Sequence, residues 1–255
     1  MRDILILGKG RLGKYLYKIG KLYNLKIEIQ SIRELCSISD LSWEYQSIVD
    51  GMDTAGYQAS NFVQTNQKIH HIRTIAAEKA LGRYNYISST RVYQQSENLI
   101  DEFSPLISQE QAKADKYIEN KLFWERWLLN RLGSRVTIFR PVALWDFFPN
   151  PSNKSFFDDL IYSRLTGNRL KSQNGDEQVV SYMNYMHAAS IILKILMKSD
   201  HIERVYNISS EIWSTREALK ANKKINVTSC SGTGLKIKSQ FAVGSSLFSQ
   251  LSSLL

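Results

Sequence analysis

The chain has 255 residues, 43% of them apolar, and a formal charge of +9 with a sequence pI near 9.4. That length and composition can bury a substantial core in one compact α/β body rather than a string of modules. No apolar run approaches the ~18 to 20 residues that span a bilayer, so neither a membrane anchor nor a signal peptide is expected. Cys36 and Cys230 are too few for a disulfide framework and stand at no metal-ligand spacing with His70, His71, His187 or His201, so a reducing cytoplasm is expected and no metal. The positive charge calls for an anionic partner: a nucleotide cofactor, a nucleotide-sugar or a nucleic acid. The Lys and Arg residues are scattered instead of gathered in a tail or finger. That argues against nucleic acid and is also what an ordinary solvated surface carries.

Residues 3–7, Asp-Ile-Leu-Ile-Leu, form a short apolar run of the kind buried on both faces of a parallel sheet. The run leads directly into Gly8-Lys9-Gly10-Arg11-Leu12-Gly13, a G-x-G-x-x-G turn. The first glycine of such a turn permits the tight bend, the second lets backbone approach a pyrophosphate, and the third lets the next helix pack on the strand. Leu12, Leu16, Ile19 and Leu22 then recur at helical spacing, and residues 25–29 alternate like a second strand. This is the order of a mononucleotide-binding unit, although a glycine-rich turn without a ligand has the same local sequence. Gly8, Gly10, Arg11, Leu12 and Gly13 are the candidate pyrophosphate contacts. After the second strand, where an NAD site offers Asp or Glu to the ribose, the chain reads Gln30-Ser31-Ile32-Arg33. Ser31 and Arg33 suit a 2′-phosphate, so NADP is expected over NAD, and a register shift to Glu28 or Glu34 would reverse the preference.

Residues 47–50 read as a short buried strand, and the interval before them is too brief for a full helix and strand, so this crossover is abbreviated. A helix over 66–81 and a strand over 84–88 follow. Alternating strands and helices on short links imply a doubly wound parallel sheet, a Rossmann fold. The second of these strands ends in Ser88-Ser89-Thr90-Arg91-Val92-Tyr93. Ligands bind at the carboxyl edge of such sheets, although a hydroxyl-rich loop there is also ordinary. Further on, Tyr117 and Lys121 stand four apart on a predicted helix and therefore share one face. An ordinary phenol, ionising near ~10, transfers protons poorly at neutral pH unless a fixed positive charge favours its phenolate. Lys121 supplies such a charge, and Ser89, with Ser88 or Thr90 as alternatives, supplies a hydroxyl to orient a carbonyl.

Together these motifs resemble the extended short-chain dehydrogenase/reductase family of NAD(P)-dependent nucleotide-sugar epimerases, dehydratases and reductases. The resemblance covers residues 1 to about 210 and includes Asp101-Glu102-x-x-Pro105, Glu125 and Phe139-Arg140-Pro141. It implies that Ser89, Tyr117 and Lys121 form a catalytic triad, with Lys121 also touching the nicotinamide ribose. Dehydratases of the family carry an Asp-Glu pair where this chain has Thr90-Arg91, which argues against dehydration. The turn is one residue shorter than usual, and Gly51-Met52-Asp53-Thr54 replaces an apolar-Ala segment. His187 stands near a family position for a polar contact and also fits an ordinary helix start.

The expected organisation is an NAD(P)-binding domain over 1–145 and a small carboxyl-terminal substrate lobe over 146–255, interleaved with the last sheet strands. Helices are expected from Phe156 to Leu165 and over 188–197, strands over 179–182 and 205–208, and a short terminal helix over 244–251; the residues after Glu211 carry no functional signal. The expected activity is oxidoreduction or epimerisation of a nucleotide-linked sugar carbonyl. A non-catalytic NAD(P)-binding regulatory or scaffold module is the alternative, and a homodimer is compatible with the small lobe.

Overall fold

The computed structural model describes residues 3–31, 45–52, 59–96, 98–146, 156–166, 179–198, 203–209, 213–215 and 234–237. Its main sheet contains β1 (Asp3–Leu7), β2 (Lys26–Gln30), β3 (Ser47–Asp50), β4 (Arg83–Ile87), β6 (Val136–Pro141) and β9 (Val205–Ile208). All are parallel, in the order β2-β1-β3-β4-β6-β9. Successive side chains of a strand face opposite ways, and β1 shows what that does here. Ile4 and Ile6 join one core with Leu16 of α1 (Arg11–Leu22) and Ile191, Ile192 and Ile195 of α6 (Tyr185–Met197). Leu5 and Leu7 join a second core with Ile69, Ile72 and Ala76 of α2 (Ala59–Lys79) and Trp124 and Leu128 of α4 (Lys116–Leu132). The doubly wound fold is thus a direct outcome of an apolar run too uniform to leave either face in water.

β1 is flanked by β2 on one side and β3 on the other, so the connection from β1 to β2 and that from β3 to β4 run opposite ways and open a crevice at the carboxyl ends. Among the described residues β2 is the edge of the sheet; the expected abbreviated crossover before β3 lies outside the described residues. α1 closes with Asn24 in the left-handed region at φ 54°, a conformation asparagine tolerates well at a helix end.

A second sheet runs β10 (Trp213–Thr215), β8 (Val179–Asn184), β11 (Gly234–Ile237) and β5 (Leu99–Ile100), with β7 (Ala143–Trp145) also paired to β8. Trp145, Phe157, Leu160, Ile161 and Tyr182 form a separate small core where α5 (Phe156–Thr166) meets this sheet. The four-residue α3 (Gln109–Ala112) precedes α4 and begins with a reciprocal cap between Ser108 and Gln111.

Two differences from the sequence reading have physical causes. α2 begins at Ala59, upstream of the expected residue 66, because extending a nucleated helix through weakly patterned residues costs little. β10 and β11 lie after Glu211, where no strand was expected, because strands this short are defined by the partner they pair with. The expected terminal helix over 244–251 lies outside the described residues. No helix among the described residues is long and apolar enough to cross a membrane.

Candidate active site

Gly8 adopts φ +113°, and a Cβ there would stand 2.9 Å from the Gly51 carbonyl carbon and oxygen. A Cβ on Gly13 would lie 2.1 Å from the Gly8 carbonyl oxygen, so α1 and the turn are in backbone contact. Gly10 differs: a Cβ there meets nothing within 4 Å. It is the N-cap of α1, offers no side-chain cap, and is followed by a first turn without an acidic residue. The first helical bond is Lys14 N–H to the Gly10 carbonyl at 3.0 Å, which leaves the N–H groups of Arg11, Leu12 and Gly13 without helical acceptors. Open space before an uncapped, positively polarised helix end is what an anion requires.

The side chains of that turn go elsewhere. Leu12 packs against the core. Arg11 forks onto Asp158 of α5 at 2.6 and 3.0 Å, and its guanidinium lies 4.8 Å from the centre of the Tyr185 ring. At the end of β2, the Gly8 N–H donates to the Gln30 carbonyl at 2.8 Å, so Gln30 and then Ser31 adjoin the glycine turn. Glu28 lies two residues back, its carboxylate accepting from Gln30 Nε2 at 2.7 Å and from the Tyr45 hydroxyl. Arg33 lies outside the described residues.

The hydroxyl-bearing segment continues β4 at the same carboxyl edge, and Ser88, Ser89 and Thr90 are all buried. Ser89 caps a single helical turn over Thr90–Val92, its Oγ accepting from Arg91 N at 3.2 Å, and that turn packs against α4. Thr90 donates to the Pro141 carbonyl at 3.3 Å. Ser88 Oγ and Asn184 Nδ2 are buried without a hydrogen-bond partner among the described residues. Orphan polar atoms of this kind need an explanation, and a polar ligand is one.

α4 starts at Asp115, whose carboxylate accepts from the N–H groups of Tyr117 at 2.9 Å and Ile118 at 3.4 Å. Tyr117 therefore sits in the first turn and Lys121 one turn on. Lys121 is 4% exposed, and its ammonium donates to the Ile87 carbonyl at 2.9 Å, 5.4 Å from the Tyr117 ring centre and 5.3 Å from that of Tyr86. The spacing of four has the expected outcome: both side chains meet beside the carboxyl end of β4. Arg91 is paired with Asp115 and covers the Tyr117 ring at 5.3 Å.

Three polar groupings, two buried and one partly buried, hold this arrangement. Glu125 and Arg140 pair at 3.0 and 2.6 Å; Arg140 also donates to the Tyr93 hydroxyl at 2.8 Å, which donates to Asn207 Oδ1 at 2.9 Å. Burial raises the Tyr93 ionisation, so it stays a donor. Asp50 and Arg73 pair below the glycine turn; Arg73 donates to the Met52 carbonyl at 2.8 Å, and Asp50 accepts from Met52 N at 3.0 Å and from Tyr84 at 2.7 Å. Tyr15 donates to Asp146 at 2.8 Å and stacks on Tyr185. Burial, then this bond, pushes the Tyr15 phenol up to about 12. None of Asp50, Arg73, Tyr15, Asp146, Asp158 or Tyr185 was singled out from sequence, and the 147-residue separation of Arg11 from Asp158 leaves no local signal to find. His187 lies in the first turn of α6, where burial and then the charge of Lys194 lower its ionisation. Among the described residues no group of three His, Cys, Asp or Glu side chains could hold a metal.

No sequence-family model matches the chain, and no curated protein sequence matches it significantly. Solved structures do. UDP-glucuronic acid 4-epimerase from Bacillus cereus, in complex with UDP-4-deoxy-4-fluoro-glucuronic acid and NAD, superimposes with TM-score 0.68 at 15% identity, covering 94% of this chain and 91% of that one. A short-chain dehydrogenase/reductase superfamily protein from Agrobacterium tumefaciens with bound NAD gives 0.67 at 15% identity, covering 93% and 89%. A dTDP-4-dehydrorhamnose reductase from Clostridium acetobutylicum gives 0.61 at 17%, covering 84% and 76%. Likeness at this level of identity establishes architecture, and the chain has the doubly wound Rossmann fold of short-chain dehydrogenase/reductase and nucleotide-sugar epimerase structures.

Proposed function

We propose that the chain is a nicotinamide-dinucleotide-dependent reductase or epimerase acting on the carbonyl of a nucleotide-linked sugar. One observation carries this reading: the open, uncapped end of α1 behind Gly8, Gly10 and Gly13 shares the carboxyl edge of one sheet with the Tyr117–Lys121 pair. The backbone N–H groups of Arg11, Leu12 and Gly13 would hold a pyrophosphate, and Lys121 the nicotinamide ribose. The residues beside the turn favour NADP, because Gln30 and Ser31 adjoin Gly8 while Glu28 is engaged with Gln30 and Tyr45.

When bound, the dinucleotide supplies or receives a hydride. The chain's own residues manage the proton and the geometry. Ser89 orients the carbonyl oxygen, and Tyr117 gives that oxygen a proton on reduction or takes one from the alcohol on oxidation. Lys121, buried and donating to the Ile87 carbonyl, sets its ammonium beside the Tyr117 ring. Arg91 stands where dehydration chemistry of this type would want a carboxylate, which favours reduction or epimerisation. The similar UDP-glucuronic acid 4-epimerase structure, which holds a UDP-sugar and NAD, supports the substrate class.

The test is fluorescence titration with NADPH and NADH, followed by turnover on a panel of nucleotide-4-ketosugars, for wild type and Tyr117→Phe. The variant is expected to keep cofactor affinity and to lose turnover by about 10²- to 10⁴-fold. Absence of binding of either dinucleotide at micromolar concentration overturns the reading.

A further inference from the structure

Arg11 occupies the first turn of α1, beside the proposed pyrophosphate seat, yet its side chain faces the lobe. Both terminal guanidinium nitrogens donate to Asp158, whose side chain is 2% exposed, while that of Arg11 is 24% exposed. The planar group also lies on Tyr185, the first residue of α6, and Tyr185 stacks at 6.4 Å and 8° on Tyr15, one turn along α1. Tyr15 in turn holds Asp146 just past β7. The first turn of α1 is therefore tied by a two-pronged charged bond to α5 and by ring contacts to the head of α6.

We propose that Arg11 is a positioning residue that couples the dinucleotide site to the substrate lobe: its backbone N–H faces the cofactor phosphates while its guanidinium sets α5 through Asp158. The proposal rests on the dinucleotide reading above. An anion at the α1 end fixes the conformation of that turn, and a side chain rooted in the turn and forked onto Asp158 transmits the constraint. The coupling is reciprocal, so a lobe held by substrate also tightens the cofactor site. A forked contact is needed, because the planar guanidinium matches a carboxylate with two parallel bonds and an ammonium does not. A phosphate ligand has no such requirement, and this separates the two roles that Arg11 can play.

The experiment is hydrogen exchange of the α5 segment in the full chain, with and without NADPH. Wild type is compared with Arg11→Met, Arg11→Lys, Asp158→Asn and the Arg11→Met/Asp158→Asn double variant. NADPH affinity is measured in parallel for each.

In wild type, NADPH is expected to slow α5 exchange about fivefold or more. The slowing is expected to vanish in Arg11→Met, Asp158→Asn and the double variant alike, and to stay largely lost in Arg11→Lys. NADPH affinity should stay within about threefold in Asp158→Asn, which lies outside the proposed cofactor seat. An α5 segment indifferent to NADPH in a wild type that binds it overturns the coupling and leaves the dinucleotide reading standing. So does a tenfold loss of NADPH affinity in Arg11→Met that Arg11→Lys restores and Asp158→Asn lacks, because that pattern makes Arg11 a phosphate ligand. Failure of wild type to bind NADPH or NADH overturns both readings. Should Arg11→Met fail to fold, the near-isosteric Asp158→Asn carries the same test.

Discussion

Gly13 and Lys121 show how much of the site depends on single positions. The Cβ that alanine would add at Gly13 meets backbone, which cannot swing aside, at 2.1 Å from the Gly8 oxygen. Gly13→Ala is expected to lose about 3 kcal/mol or more, at the upper end of overpacking costs, and to weaken dinucleotide binding with it. Urea unfolding and NADPH titration on the same variant check both. The alanine that would cost this much at Gly13 meets nothing at Gly10, so two glycines of one motif differ: backbone contact constrains one, and the other faces open space. Lys121 is a buried ammonium whose neighbours include a strand carbonyl and two tyrosine rings. Burying a charge costs heavily unless it is paired or hydrogen-bonded, and the Ile87 carbonyl meets that need here.

Among the elements, β3 and α2 are joined by the Asp50–Arg73 pair, with both side chains at most 1% exposed. Arg73 also lies between the rings of Tyr86 and Trp124, at 4.9 and 4.7 Å. Removing one partner strands the other charge in the core. Arg73→Met is expected to cost about 3–5 kcal/mol in urea unfolding, and Asp50→Asn a comparable amount. The double variant should be less damaging than the two losses added, because no lone charge remains. Additive losses would mean that the two side chains act independently. The same pair holds Met52 by its N–H and its carbonyl, so both single variants should also disturb the turn that faces Gly8.

For the whole molecule, acid sensitivity follows from two histidines. Burial lowers the ionisation of His70, packed edge-on to Trp124 at 4.6 Å, and the charge of Arg73 adds to this. Burial and Lys194 lower that of His187. Below the ordinary histidine value of 6.5 the unfolded chain therefore binds more protons than the folded one. Stability should rise with pH through that window and be lost as pH falls through it. Melting temperatures between about pH 5 and pH 8 should show this, and a His70→Gln/His187→Gln variant should flatten the slope. A slope unchanged in the double variant would assign the acid sensitivity to other groups. Glu102, whose carboxyl is raised by burial, works in the opposite sense and nearer its ordinary value of 4.5.

Much of this molecule is determined by its sequence because the physics is local. The run Ile4 to Leu7 has no polar face, so it demands cover on both sides, and Gly8 and Gly13 after it permit close backbone contacts that a larger residue would block. Tyr117 and Lys121 share a face wherever a helix forms through them. Tertiary structure decided what depends on chain separation. It brought Asp158 to Arg11, Arg73 to Asp50 and Arg140 to Glu125, and it made strands of residues 213–215 and 234–237 by offering them β8. No periodicity encodes such meetings, because a charged pair is specified by where two elements pack and not by the spacing of residues along either one.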